Sequence, residues 1–405
     1  MSRIEALIQE LCPDGVQRQP LGKFATLVRG NGMPKTDLVE EGVGAIHYGQ
    51  IYTRYGVWAT ETLSYVTYEK AGKQAKVAPG DIIITNTSEN IDDVGKAVAW
   101  LGDSTIVTGG HATVIKHDQD PKFLAYWFAS ADFYSQKRKL ATGTKVIDVS
   151  AKQMATVQVP LPPLKVQREI VEVLDKFTQL EAELEAELEA RRAQYQHYRI
   201  ELLTPSKDVI WSTLGGVSTR VSSGATPKAG EPKFYDGGTI PWLRTGEVKF
   251  GEIWDTEMRI TDQAVDDTAV KWIPKNSVIV AISGATAGRS GINKIPLTTN
   301  QHCCNLEINA KVADYRYVFY WVSSKYEELK SLGRGARADL NAGLIKNFSI
   351  PVPPLEEQRW IVDVLESFDR LVNDISAGLP AELNARRKQY EHYRDRLLTF
   401  KELKA

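Results

Sequence analysis

VPLPPLKVQREIVEVLDKF, residues 159–177, is answered 191 positions later by IPVPPLEEQRWIVDVLESF, residues 350–368. A second correspondence follows each: ARRAQYQHYRIELLT (190–204) matches ARRKQYEHYRDRLLT (385–399) at an offset of 195, so the second copy carries four extra residues between its matching stretches. Internal repetition fixes the architecture before any single element is assigned. Weaker echoes run through the regions ahead of each pair. PLGKF with Pro34-Lys35 stands against TLGGV with Pro227-Lys228, Gly95-Lys96 against Gly288-Arg289, His111 against His302, and AYW (125–127) against FYW (319–321). The chain is written as lobe, helix, lobe, helix.

In the first helical stretch the inward positions fall at Ile170, Leu174, Phe177, Glu181, Leu184, Leu188, Arg191, Tyr195, Tyr198 and Leu202. That alternation of fours and threes marks a coiled-coil seam. The second runs Ile361, Leu365, Phe368, Val372, Ile375, Leu379, Leu383, Arg386, Tyr390, Tyr393 and Leu397, with two successive steps of four around Leu379. Such a stutter, with Gly378 and Pro380 beside it, predicts a kinked or split helix. A helix over 165–203 is about 58 Å long. Parallel packing would force the second lobe to bridge that length, whereas antiparallel packing brings the ends it must join together. Within the lobes, β-branched runs such as DIIIT (81–85) and SVIVAIS (277–283) alternate with Gly and Pro punctuation, and FLAYWFAS and YVFYWVSS are helical candidates. The expected fold is two α/β (α+β) lobes related by a pseudo-two-fold axis and separated by an antiparallel two-helix coiled-coil spacer. Its boundaries are 1–160 for the first lobe, 161–205 for the central helix, 206–350 for the second lobe and 351–405 for the C-terminal helix.

Between Leu180 and Ala190 the sequence reads LEAELEAELEA, in which the word AELE occurs twice in succession. Ala, Glu and Leu are strong helix formers, so words of this kind are gained or lost without breaking a helix. The word is expected to act as a unit of length. Its glutamates also concentrate acid on the strut, while Lys137, Arg138, Lys139, Lys145, Arg334 and Arg337 lie in stretches lacking that acidity. A formal net charge of -1 over 405 residues excludes a uniformly basic nucleic-acid binder but not basic lobes on an acidic strut. The N-terminal MSRIEALIQELCPDG has no apolar targeting core and no run approaches a membrane span, so a cytoplasmic protein with no membrane association is expected. Cys12, Cys303 and Cys304 have no CxxC spacing and read as reduced, buried thiols.

PLPPLKVQREIVEVLDKF, PVPPLEEQRWIVDVLESF and the paired ARRxQYxHYR segments, in this duplicated order, resemble the specificity subunit of type I restriction-modification systems. The likeness covers nearly the whole chain, and the helical motifs carry it better than the lobes do. It implies two target-recognition domains reading the halves of a split, asymmetric site in double-stranded DNA. It also implies helices that form the spacer and dock two adenine-methyltransferase subunits, and motor-nuclease subunits that join the assembly. Arg192 and Arg387, on the outer helix faces, are the partner-binding candidates under that likeness. It further implies a chain that performs no chemistry and carries no cofactor. The residues agree: there is no NPPY-like or DPPY-like motif, no GxxxxGK[ST] loop, no HExxH and no metal-spaced His/Cys cluster. The competing classes are a catalytic enzyme, which the missing motifs oppose, and a coiled-coil adaptor without salt-sensitive DNA binding.

Candidate DNA contacts come from residue chemistry. In HYGQIYTRYG (47–56), Tyr48, Gln50, Tyr52, Thr53 and Arg54 combine stacking side chains with groups suited to adenine or guanine edges. The alternative is a strand with half-buried alternate tyrosines. RGNGMPK (29–35) offers Arg29 and Lys35 beside glycine amides. ATGTKVIDVS (141–150), with Thr144 and Lys145, aligns loosely with GRGARADLNA (333–342), with Arg334 and Arg337, each a small-residue basic loop after a helix. In the second lobe the candidates are Ser223, Thr226 and Lys228 of SSGATPK, Arg244 of WLRTGE, and Arg289. Trp242 is read as core. His111 and His302, without a nucleophile or metal partner, are read as structural.

Overall fold

The computed structural model describes residues 3–333 and 339–403. The chain divides into two compact units, residues 1–185 with 382–405, and residues 186–381.

The first unit opens with helix α1 (Arg3–Leu11) and contains β1 (Thr26–Arg29), β2 (Leu38–Val39), β3 (Val43–Ile46), helix α2 (Tyr48–Thr53), β4 (Trp58–Ala59), β5 (Ser64–Val66), β6 (Ala75–Val77), β7 (Ile82–Thr85), β8 (Ala97–Trp100), β9 (Ile106–Thr108) and β10 (Ala112–Lys116). Helices α3 (Pro121–Phe128) and α4 (Ala131–Leu140) follow. The strands form two five-stranded sheets, ordered β1-β10-β7-β8-β4 and β2-β5-β3-β9-β6. β7 is apolar at three successive positions because both its faces are covered. Ile82 and Ile84 join a core with Tyr126 and Trp127 of α3, while Ile83 points into a second core with Trp100 and Ile106. A two-residue period sends neighbours to opposite sides. α3 starts where Asp120 accepts from the Phe123 N–H at 3.0 Å, with Pro121 in the first turn.

The second unit repeats the plan with β11 (Ser218–Ser223), β12 (Ile240–Leu243), β13 (Glu252–Ile253), β14 (Met258–Ile260), β15 (Val278–Ala281), β16 (Ser290–Asn293), β17 (Thr298–Thr299) and β18 (Cys303–Ile308). Their orders are β11-β18-β15-β16-β13 and β14-β12-β17. Gly30 and Gly224 close the same corner in each unit, since a Cβ would lie 2.4 Å from the Gly109 carbonyl oxygen in one and 1.9 Å from that of Thr299 in the other. Gly95 and Gly288 both adopt positive φ, 78° and 87°, which glycine alone adopts freely.

The repeated proline lead-ins each place a buried glutamine. Gln167 accepts from the Asp120 N–H at 3.0 Å and donates to the Pro162 carbonyl and to Gln119 Oε1, each at 2.8 Å. Gln358 repeats this in the second unit, accepting from the Asp314 N–H at 2.9 Å and donating to the Pro353 carbonyl at 2.8 Å and the Val312 carbonyl at 3.3 Å. Asp314 caps helix α6 (Tyr315–Ser324) as Asp120 caps α3. One buried amide therefore ties each lobe helix to the start of a spacer helix.

The first spacer helix, α5, runs unbroken from Leu164 to Leu202. The second is split into α7 (Leu355–Asn373) and α8 (Leu379–Leu397), as Gly378 and Pro380 predict. At the split, Gly378 packs where a Cβ would meet the Arg370 carbonyl oxygen at 2.4 Å. Pro380 lies in the first turn of α8, where its missing N–H costs nothing. The expected seam residue Ile375 falls in this interruption and is 83% exposed, so the seam reading fails there. Arg386 and Tyr393 of the expected seam are exposed as well, whereas Leu174, Leu188, Tyr195, Leu365, Val372 and Leu383 are buried.

Within the first unit the packing is antiparallel: Phe177 stacks on Tyr393 with centroids 5.5 Å apart, while Glu181, further along α5, meets Arg387, earlier in α8, at 2.6 Å. In the second unit Phe368 packs on Tyr198 at 5.3 Å and on Tyr195 at 6.4 Å, and burial pushes the Tyr195 hydroxyl up to about 12. Cys303 and Cys304 are buried free thiols, with burial pushing Cys304 up to about 12, whereas Cys12 is only partly buried, a departure from the sequence reading.

Candidate nucleic-acid interface

Strand register gathers the first lobe's candidates at one end of a sheet. Arg29 ends β1 opposite Thr113, Ala112 begins β10 opposite Thr85 at the end of β7, and Ala97 begins β8 opposite Ile84. Loops 30–37, 86–96 and 109–111 therefore emerge together. β9 and β3 run parallel with Thr108 beside Ile46, which adds the start of α2 to the same edge. The 142–146 loop joins through pairing of Ile147–Asp148 with Thr87–Ser88. Arg29, Lys35, Thr144 and Lys145 are exposed there. Arg29 donates to the Gly110 carbonyl at 3.2 Å, which aims its guanidinium along this edge.

HYGQIYTRYG is neither a strand nor a free row of readers. It forms α2, and His47, buried at its N-terminus, accepts from the Gly49 N–H at 3.1 Å while Gln50 reaches back to the His47 N–H at 3.1 Å. Gln50 also donates to Ser64 at 2.6 Å, so both ends of its amide are engaged within the lobe. Tyr52 donates to the Thr87 carbonyl, and its burial pushes the hydroxyl up to about 12. Thr53 bonds back to the Gly49 carbonyl at 3.2 Å. Burial, with Lys35 and His111 nearby, holds the His47 imidazole below its ordinary range. Among the described residues Tyr48 and Arg54 keep their side chains free of such bonds, and the Tyr48 ring lies 4.7 Å from that of His111.

The second lobe builds the same edge. Ser223 ends β11 opposite Cys304, Ala281 ends β15 opposite Cys303, Ser290 begins β16 opposite Val280, and Leu243 lies beside Thr299. The turn after β12 has the cap found after β3: Glu247 accepts from the Arg244 N–H at 3.1 Å, as Gln50 does from His47. RTGE thus stands where HYGQ stands, and this equivalence shows Gln50 as part of the turn. Arg244 is exposed but paired with Glu257 at 2.7 Å. Thr226 bonds Gln301, and Lys228 is exposed with Glu231 at 3.9 Å. Arg289 is partly buried, its Nε without a partner and its guanidinium 6.0 Å from the Phe250 ring centroid. Trp242 is core, 5% exposed. Arg334 and Arg337 lie outside the described residues.

Three further readings change. Lys137, counted among the basic residues of the lobe, is buried: its Nζ donates to the Val94 carbonyl at 2.7 Å and the Asp92 carbonyl at 3.0 Å, and burial lowers its pKa to about 8. Arg387 is committed to Glu181 and Glu185 rather than left free for a partner, whereas its counterpart Arg192 pairs, among the described residues, with its own helix neighbour Glu189 at 2.7 Å. His111 and His302, read as structural, stand exposed on the edge. Their matched positions were the sequence signal; only strand register shows that the edge runs through them.

The profile of the family described as "Type I restriction modification DNA specificity domain" matches this chain twice, over residues 13–190 and 206–385. The type I restriction enzyme EcoR124I/EcoR124II specificity subunit of Escherichia coli is 34% identical, covering 99% of this chain and 97% of its own. A putative type I restriction enzyme specificity subunit of Haemophilus influenzae is 28% identical over 74% of this chain and 76% of its own. Two solved structures share the fold. The HsdS subunit from Thermoanaerobacter tengcongensis has a TM-score of 0.55 at 16% identity, covering 96% of each chain. The type I restriction-modification S subunit from M. genitalium has a TM-score of 0.51 at 14% identity, covering 94% of this chain and 95% of its own. The chain belongs to the family of type I restriction-modification DNA specificity subunits. Among the described residues no helix is long and apolar enough to cross a membrane.

Proposed function

We propose that this chain is the non-catalytic reader of its assembly, that residues 1–160 and 206–350 each recognise one half of an asymmetric two-part site in double-stranded DNA, and that 161–205 and 351–405 form the spacer. The observation that carries this reading is the pair of matched sheet ends. The strands, the corner glycines and the turn caps are repeated, while the side chains along the edge differ, exposed Arg29 against partly buried Ser223 and partly buried Tyr48 against Thr245. Two scaffolds of one design with different edges suit two different half-sites. Arg29, Tyr48, Arg54, Thr144 and Lys145 are the contact set proposed for the first half, and Ser223, Thr226, Lys228, Arg244 and Arg289 for the second. Gln50 and Tyr52 hold the turn that presents them.

The helices dock two adenine-methyltransferase subunits and, through them, motor-nuclease subunits. Arg192 is the outward-facing contact retained for this role, since its partner among the described residues is an exposed glutamate. Mapping methylated adenines by long-read sequencing, in cells expressing the chain with its methyltransferase, is the test. One split motif with two unlike halves is expected. A single continuous motif, or methylation independent of this chain, would refute the reading.

A further inference from the structure

We infer that His111 and His302 are a matched pair of phosphate contacts, one per lobe, that anchor the DNA backbone without reading sequence. This inference rests on the proposal that the two lobes read different half-sites. Both histidines are exposed and each opens the strand next to its lobe's central one, β10 and β18. Each main-chain carbonyl accepts from the residue just past that central strand, Asn86 at 2.8 Å and Ile282 at 2.9 Å. The two side chains therefore leave the fold from one structural position.

Each ring is also held by one nitrogen and left open at the other. His111 Nδ1 bonds Thr87 Oγ1 at 2.9 Å, and Tyr48 packs against the ring. His302 Nε2 lies 3.1 Å from Gln301 Nε2, an atom that only donates. His302 Nε2 is thereby the acceptor, so its proton sits on Nδ1. In His111 the free nitrogen is Nε2. Neither free nitrogen has a partner among the described residues.

Chemistry then separates anchoring from reading. Around these histidines the lobes differ at the residues that would meet bases, Arg29 against Ser223 and Tyr48 against Thr245. A base contact from an equivalent residue would impose one shared base on both half-sites. A phosphate contact imposes none, because every nucleotide presents the same oxygens. Retention of one exposed ring on both edges matches the phosphate role. The neighbouring Lys35 and Lys228 are a second matched pair on these edges, both cationic and each following a proline.

The test uses the full chain with its methyltransferase subunits and two probes: a fixed duplex of mixed sequence, and a pool of randomised duplexes from which bound members are selected. His111→Ala and His302→Ala are each expected to weaken binding of the fixed duplex about tenfold, the scale of one hydrogen bond to a charged group, and to leave the selected motif unchanged. His111→Gln, which keeps a donor, should bind within about threefold of the parent chain. A base change in one half of the selected motif would make that histidine a base reader and overturn the inference. So would unaltered affinity in both alanine variants, or a glutamine variant as weak as alanine. If the parent chain itself selects no two-part motif, the proposed function fails first, an outcome visible before any variant is compared.

Discussion

The two units keep the same interior and part company at the surface. The first lobe's sheet end carries Arg29, Tyr48 and the Thr144–Lys145 loop; the second carries Ser223, Thr226 and an Arg244 paired with Glu257. Beneath them the capped turns, the corner glycines and the glutamines Gln167 and Gln358 are repeated. The spacer halves differ as well. In both units a phenylalanine packs on two tyrosines, Phe177 on Tyr390 and Tyr393 and Phe368 on Tyr195 and Tyr198, but the first adds Arg387 bridging Glu181 and Glu185. Packing and buried hydrogen bonds constrain what must be kept, and the exposed ends are free to diverge into two specificities.

Exchanging one edge should break the comparison most completely. Replacing residues 206–348 with the corresponding lobe of a relative is expected to change one half of the methylated motif entirely and leave the other as it was. If both halves change together, the lobes do not read independently.

The repeated glutamines should behave alike. Gln167→Ala and Gln358→Ala each leave buried backbone groups without partners, at about 2–3 kcal/mol. Hydrogen exchange should show earlier opening of Pro121–Phe128 in the first variant and of Tyr315–Ser324 in the second. Opening confined to one variant would mean that the two clamps are not equivalent.

A smaller effect separates capping from reading. Gln50→Ala should cost the first lobe about 1 kcal/mol, the usual worth of a lost helix cap, seen as a lowered urea midpoint, with the selected bases unchanged. A relaxed base preference in the first half would restore Gln50 as a reader.

The last expected signal is confined to alkaline pH. Lys137 titrates near 8 in the folded lobe, below the ordinary 10.5, so between these values the unfolded chain holds a proton that the folded one has lost. The Lys137 contribution to the stability of the first unit should therefore rise with pH across that window, against an opposing fall from Cys12, Tyr52, Tyr55, Tyr126 and Tyr390, whose pKa values burial raises. Denaturant midpoints at pH 8 and pH 10 should isolate it: the parent chain should gain on Lys137→Met as pH rises.

How much of this was legible in the sequence follows from which residues sit in periodic surroundings. The duplication, the long helix, the split at Gly378 and the seam through Leu174, Leu188 and Tyr195 were readable because helix packing repeats every three or four residues. Ile375 was misplaced because the period was carried across a break. The site was harder. Nothing in HYGQ announces that an imidazole will cap a short helix, a role more often taken by Ser, Thr, Asp or Asn. Nor does composition show that Lys137 reaches two interior carbonyls. The edge itself is assembled by strand register from five separated stretches of the first lobe, and register is set by tertiary pairing rather than by local sequence.

The central claim is that two independent readers are joined by a spacer whose length is counted in words. Glu181 and Glu185, which hold Arg387, are one word apart, so an added word supplies another glutamate pair at the same spacing. Each word adds about 6 Å of helix and about 40° of turn, against about 3.4 Å of rise and about 34–36° per base pair. The decisive measurement is methylation mapping of a variant with one further AELE inserted after Glu189. The account predicts two unchanged half-sites and an unread gap wider by one base pair, or at most two. An unchanged gap, or an altered half-site, would contradict it.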